Sequence, residues 1–314
     1  MANQTRGLEA GAVMKPHAGR RGRLVENWLP YWLLTPALIA IVAVVLYPML
    51  YNLFLSFFDM NLLRPEGRKF VGLANYATVL SDPDFWHSLQ VTLIYTVGSV
   101  GGCFLLGLAT ALMLNIDFKF RGVARALIVI PWATPWLVTT LIWYIMFNPQ
   151  IGPINEILKR LGLIEQGIPW LYQNSTAMLA IIITTVWREF PSATLLILAG
   201  LQSISPELYE AAAVDGAGIW QRFRYITLPS LRAVNLVVIV LLTISAFKLF
   251  TVAWVLTAGG PGDATRVLSV FTYEEAFKYY RVGTASTLAT LLFIISAGMI
   301  VSYFKLLRGR EESD

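Results

Sequence analysis

The sequence predicts an all-α integral membrane protein with six transmembrane helices and both termini in the cytoplasm. Of the 314 residues, 56% are hydrophobic and only 14% charged, whereas soluble domains carry about a quarter charged residues. Apolar runs close to the roughly 20 residues needed to cross hydrocarbon recur along the chain. Runs such as Leu231 to Phe247 are apolar on every face, which suits a membrane helix and not the alternating strands of a barrel.

Six segments carry this signal: 28–57, 88–114, 124–147, 177–201, 231–257 and 284–307. The first follows a basic stretch, but it is too long for a signal peptide and no small-residue cleavage site closes it, so it is expected to be retained. In the second, Gly98, Gly101, Gly102 and Gly107 thin one side, which favours close helix packing over any chemistry. Pro131 and Pro135 around Trp132 and Trp136 are expected to shape or kink the third, with a pathway role secondary.

Lys and Arg then orient the chain, because they accumulate in cytoplasmic loops. Five lie in the tail (Arg6, Lys15, Arg20, Arg21, Arg23), three in 115–125 (Lys119, Arg121, Arg125), three in 202–232 (Arg222, Arg224, Arg232) and three at the C-terminal end (Lys305, Arg308, Arg310). The opposite loops hold eight: Arg64, Arg68, Lys69, Lys159, Arg160, Arg266, Lys278 and Arg281. The formal charge of +5 is therefore a topology signal with anionic lipid headgroups as neighbours, and no nucleic-acid partner is expected. Residues 1–27 read as a basic cytoplasmic tail, 28–307 as one transmembrane domain, and 308–314 as a second cytoplasmic tail.

Catalytic chemistry is scarce. One cysteine, Cys103, excludes a disulfide framework, and His17 and His87 stand alone, so neither a metal site nor a catalytic residue is expected. No Gly-Lys dipeptide occurs, hence no phosphate-cradling GxxxxGK[ST] loop, and CxxC, HExxH and GxSxG are absent as well. The chain is not read as an enzyme.

Chemistry inside the membrane is limited to a few residues. Arg188, Glu189 and Lys248 are the central ionisable groups. A lysine at mid-membrane costs roughly 2.5–3.5 kcal/mol, so Lys248 needs water, an acid or a partner subunit. Read as one helix, the fifth segment places Ser245, Lys248 and Thr251 at i, i+3 and i+6, with Phe247, Thr251 and Trp254 on an adjacent face. In the fourth, Trp187, Arg188, Glu189 and Pro191 interrupt the apolar run. The pair Arg188 and Glu189 reads equally as mutual neutralisation or as cavity lining. Trp187, Phe247 and Trp254 beside Lys248 would suit a carbohydrate, since aromatic faces stack on sugar rings. Each aromatic reads at least as well as packing or interfacial belt.

The 202–230 loop is the most informative stretch. Ser205 is placed to cap a helix, Pro206 suits its first position, and Glu207 and Glu210 sit near its positive end. Gly216 supplies the stop and Pro229 a later turn, giving two short helices. Glu210-Ala211-Ala212, three residues, Gly216, nine residues, Ile226, one residue and Leu228-Pro229 match the EAA–X3–G–X9–I–X–LP pattern of permease subunits in binding-protein-dependent ABC importers. The chain therefore resembles that family. Leu46-Tyr47-Pro48 leading to Ser56-Phe57, Phe70 to Tyr76, Thr257 to Pro261, and Tyr273 followed by Ala276-Phe277 narrow the resemblance to the carbohydrate group of maltose-type and glycerol-3-phosphate-type permeases. The larger maltose permease has two further N-terminal helices that this chain lacks, and the tail before residue 28 falls outside the resemblance.

The resemblance implies a type I, maltose-permease-like fold in a bacterial or archaeal inner membrane. It implies four kinds of partner: a second homologous permease, a dimer of ATP-binding subunits, an extracytoplasmic binding protein and a carbohydrate cargo. ATP and magnesium would be used by the ATPase, with no cofactor bound by this chain. Glu210, Ala211, Ala212, Gly216, Ile226, Leu228 and Pro229 would form the coupling loop, with Tyr209, Val214 and Trp220 as apolar anchors in a groove of the ATPase. The substrate path would draw on Trp187, Arg188, Glu189, Ser245, Phe247, Lys248, Thr251 and Trp254. The outer Gly259-Gly260-Pro261 turn reads either as part of a binding-protein docking surface or as a tight turn alone. A permease for a glycerol phosphate or polyol is the alternative within the family. An ion-coupled secondary transporter, which needs no such loop and moves its substrate alone, is the alternative outside it.

Overall fold

A computed structural model describes residues 20–64 and 67–311. Arg6 and Lys15 of the expected tail lie outside the described residues. The chain divides into two compact units at Tyr51 and Asn52.

The first unit is helical throughout its described length. Helix α1 (Arg20–Ile41) passes through a π turn (Val42–Leu46) into α2 (Tyr47–Leu55), and Tyr31–Leu55 is long and apolar enough to cross a membrane.

In the second unit, β1 (Phe58–Asp59) pairs antiparallel with β2 (Lys69–Phe70), a small exception to the all-α expectation. The turn that follows is braced by side chains. The Asn75 amide donates to the carbonyls of Ser56 and Phe58 at 2.9 Å each, and Ser56 Oγ lies 2.7 Å from Tyr76 Oη. Helix α3 (Ala74–Ser81) leads to α4 (Pro83–Asn115), which Asp82 caps by accepting from the Asp84 N–H at 2.9 Å, with Pro83 at its first position. Next come α5 (Arg121–Ala133), α6 (Trp136–Met146), α7 (Pro153–Arg160) and α8 (Asn174–Gln202).

Helices α4 and α8 form the spine, and the glycines explain how closely they approach. A Cβ at Gly98 would stand 2.7 Å from Ile182 Cδ1, at Gly102 2.6 Å from Val186 Cγ2, and at Gly107 2.7 Å from Ala193 Cβ. None of these fits a real contact, so the stripe is a packing surface. Tyr95 Oη lies 3.0 Å from Thr185 Oγ1 across the same interface.

Two of the six expected segments are not single straight helices. The third, 124–147, is α5 and α6 bent by 94° at Thr134-Pro135. Proline drives the preceding residue out of helical backbone, and Thr134 is extended at ψ 132°. The fifth, 231–257, begins as α12 (Arg232–Phe247) but breaks at Lys248. It resumes as α13 (Thr251–Thr257). Four helices, Tyr31–Leu55, Pro83–Asn115, Asn174–Gln202 and Val282–Tyr303, are long and apolar enough to span a membrane, or up to six if each bent pair is one span.

Between α13 and the last helix, the chain is held by charge. Arg266 is buried, with Nε 2.7 Å from Glu274, Nη1 3.1 Å from Asp84, and its guanidinium 4.3 Å above the Phe271 ring. The Leu268 N–H donates to Thr92 Oγ1 at 2.8 Å. These contacts fix α14 (Leu268–Tyr273) and the π turn Glu274–Lys278 against the start of α4. Burial pushes the Glu275 carboxyl up, and Arg281, 2.6 Å away, pulls it back. Helix α15 (Val282–Glu311) closes the chain.

Candidate coupling loop and substrate path

The loop after α8 folds as two short helices, as its composition requires. Helix α9 (Pro206–Val214) starts behind Ser205, whose backbone is extended, but the Ser205 hydroxyl makes no cap bond. Its carbonyl does the work, accepting from the Leu208 N–H at 3.2 Å. The C-terminus closes on Gly216 at φ +79°, with the Ala217 N–H donating to Ala212 at 2.8 Å and the Gly216 N–H to Ala213 at 3.1 Å. This pair of bonds is a Schellman closure, which satisfies the orphaned carbonyls and needs a residue comfortable in left-handed backbone.

The chain restarts at α10 (Ile219–Arg222), continues through a π turn (Phe223–Thr227) into α11 (Leu228–Ser230), and bends by 66° into α12. Pro229 is carried within α11, so the turn falls at Leu231, two residues later than expected. Gly218 N–H donates to Gln221 Oε1 at 2.7 Å, fixing the start of α10.

The three expected anchors divide. Val214 and Trp220 are 88% and 73% exposed, and Ile219, which sequence reasoning did not single out, is 83% exposed. Tyr209 instead turns inward, its hydroxyl 2.9 Å from Thr227 Oγ1, and ties α9 to the π turn. Glu210 and Ala211 are exposed, while Ile226 and Leu228 are half-buried. The result is a thin, braced helix with an apolar lip at its end.

The eight path residues do not form one face, because the break at Lys248 removes the continuous helix on which their register depended. They separate into three groups. Glu189 and Ser245 meet on a cleft of about 340 Å³ that Trp132, Ser192, Leu241 and Leu242 also line. Ser192 was missed, although it lies one turn after Glu189 on the same face. Arg188 does not line that cleft. It bonds Glu189, donates from Nε to the Thr134 carbonyl at 3.2 Å, and stands 4.2 Å over the Trp136 ring. It thereby satisfies a carbonyl that the proline break leaves without a helical partner. Trp187, half-buried, packs edge-on against Trp143 with centroids 5.8 Å apart at the edge of the core, and Phe247 is fully buried within it.

The third group surrounds the break in the fifth segment. Lys248 is exposed, Thr251 opens α13, and Trp254 stacks with Phe250 at 5.7 Å. Trp254 also lies 4.6 Å from Tyr273. Ser269 Oγ donates to the Leu249 carbonyl at 2.6 Å, satisfying backbone freed by the break. Among the described residues, no group of three or more His, Cys, Asp or Glu is placed to hold a metal.

A family model described as "Binding-protein-dependent transport system inner membrane component" matches residues 104–307. The chain is 39% identical over 290 residues to the trehalose/maltose transport system permease protein MalF of Thermococcus litoralis, spanning 91% of this chain and 96% of that protein. It is 34% identical to the sulfoquinovosyl glycerol transport system permease protein SmoG of Agrobacterium fabrum, over 92% and 98% of the two chains. In fold it is similar to a chain from the crystal structure of a bacterial ABC transporter involved in the import of the acidic polysaccharide alginate. There the TM-score is 0.79 at 22% identity, covering 92% of this chain and 98% of the other. With the whole of its coupling-loop pattern inside the matched region, the chain belongs to the family of binding-protein-dependent transport system inner membrane components.

Proposed function

We propose that the chain is the permease subunit of an ATP-driven importer that translocates a sugar or oligosaccharide delivered by an extracytoplasmic binding protein. It crosses the membrane six times, with α5–α6 and α11–α12 as bent spans and both termini in the cytoplasm. A second homologous permease completes the path, and a dimer of ATP-binding subunits, using ATP and magnesium, drives it. Residues 1–27 and 308–314 flank the transmembrane domain, 28–307, as cytoplasmic tails.

The observation that carries this reading is the geometry of the 202–230 loop. Adjacent and largely exposed, Ile219 and Trp220 put apolar surface on a loop that the charge pattern assigns to the cytoplasm, where a partner protein can cover it. Here they open α10, directly after α9, whose C-terminus is closed by Gly216 and which is braced through Tyr209 to Thr227. Such a helix passes displacement to α12 without melting, as a two-state transporter needs. An ion-coupled transporter has no use for it.

For cargo, the relatives named for trehalose, maltose and sulfoquinovosyl glycerol support a carbohydrate. The cleft supports the same class: an indole face at Trp132, hydroxyls at Ser192 and Ser245, and a carboxylate at Glu189 are the groups that grip a polyhydroxylated ring.

Affinity purification tests the assignment. The chain should co-purify with a second permease and a pair of ATP-binding subunits, and the complex should hydrolyse ATP faster when its binding protein and sugar are added. A chain that purifies alone and moves solute unaided contradicts it.

A further inference from the structure

Between the ends of two long helices and the loop that follows them lies a cavity of about 720 Å³, within the ~300–1,000 Å³ range of ligand pockets. Leu112 near the end of α4, Leu201 near the end of α8, and Trp220 and Phe223 of the loop give it apolar walls. The two rings support each other, with centroids 5.5 Å apart. Both α4 and α8 are long and apolar enough to span a membrane. The cavity therefore sits where hydrocarbon gives way to headgroups.

Among the lining residues the single charge is Arg222, which is half-buried. Its Nε is enclosed with no hydrogen-bond partner, and no acid among the described residues pairs with it. Arg121, which follows α4 at the same boundary, is by contrast satisfied within the chain, by the Leu114 carbonyl at 2.6 Å and Asp117 at 2.7 Å. Tyr209 and Thr227 also line the cavity, but they spend their hydroxyls on each other at 2.9 Å. A guanidinium keeps its charge and offers donors only, so the partner that suits Arg222 is an anion.

We propose that this cavity binds one anionic phospholipid of the adjoining leaflet, its phosphate on Arg222 and an acyl chain along Leu112, Leu201 and Phe223. Apolar walls with a single cation match a molecule that is one charge and one long hydrocarbon. A soluble phosphate compound or an acidic peptide would leave its remaining polar groups against those walls. Lys119, Arg121 and Arg125 follow α4, and Arg224 follows Arg222 by two residues, and basic residues at such a boundary draw anionic headgroups to it. A lipid seated there splints the π turn Phe223–Thr227 against the ends of α4 and α8, whatever cargo the chain moves.

The test uses the full importer in proteoliposomes containing phosphatidylglycerol with a photoactivatable diazirine on one acyl chain. After irradiation, cross-linked peptides are mapped by mass spectrometry. Labels should fall on the end of α4 and on the segment from Trp220 to Phe223. Arg222→Gln should lower that labelling about tenfold, the loss of one charge-assisted bond. Arg222→Lys, which keeps the charge, should retain most of it. Arg224→Gln, at an exposed side chain outside the cavity, should leave labelling within about twofold. Equal labelling of the same peptides by a phosphatidylcholine probe overturns the site, since any bulk lipid would then serve. Undiminished labelling of Arg222→Gln overturns it too. So does labelling that appears in the chain stripped of its ATP-binding subunits and vanishes in the full importer, because those subunits would then fill the cavity.

Discussion

Arg188 and Glu189 are adjacent in sequence but serve different neighbourhoods. Arg188 faces the α5–α6 break, where the Thr134 carbonyl and the Trp136 ring receive it, whereas Glu189 borders the cleft with Ser192 and Ser245. Sequence alone could not divide them, because neutralisation and cavity lining both require one charge of each sign. Removing Arg188 leaves a carboxylate and a carbonyl without their partner. Arg188→Met should therefore destabilise the chain by about 3–5 kcal/mol. Arg188→Met with Glu189→Gln should recover most of that loss, since no lone charge remains. Thermal unfolding in nanodiscs, followed by tryptophan fluorescence, checks both. Equal destabilisation by the single and double variants would mean that the Thr134 contact, not the charge pair, is what matters.

The α9–α10 loop shows what local chemistry can specify. Pro206 at the first position and Gly216 at the stop sit where the backbone requires them, so the element was legible from its own residues. A Cβ at Gly216 would meet nothing within 4 Å, so only backbone conformation demands glycine there. Gly216→Asn, which tolerates left-handed backbone, should keep uptake. Gly216→Pro, whose ring fixes φ near −65° and removes the N–H given to Ala213, should abolish it. Glu210→Lys should abolish it as well, by reversing the charge the loop offers a partner. Membrane abundance should be unchanged in all three, measured beside uptake in proteoliposomes. The break at Lys248 lies at the other extreme. No proline or glycine occurs from Phe247 to Thr251, and the freed carbonyl of Leu249 is satisfied by Ser269, twenty residues on. A break stabilised by tertiary contacts leaves no local mark, and for that reason the expected i, i+3, i+6 face did not survive. The 94° bend at Thr134-Pro135 lies between these cases: its prolines announced a kink, and only packing set its size.

Across the molecule, the membrane class was plain from composition, and the close packing of α4 from its glycines, though not its partner α8. Around the cleft, Glu189 and Ser245 were named from the sequence and Ser192 was not, and their meeting was not legible, since Trp132, Glu189, Ser192 and Ser245 come from three helices. The central claim is that the α9–α10 loop is a cytoplasmic lever pushed by a separate ATPase. Val214, the most exposed of its apolar side chains, reports on that directly once the buried Cys103 is replaced by alanine. A membrane-impermeant maleimide should fail to label Val214→Cys in right-side-out vesicles, should label it in inside-out vesicles stripped of the ATP-binding subunits, and should be blocked when those subunits are added back. Labelling from the outer face, or labelling that the subunits do not alter, would contradict the claim.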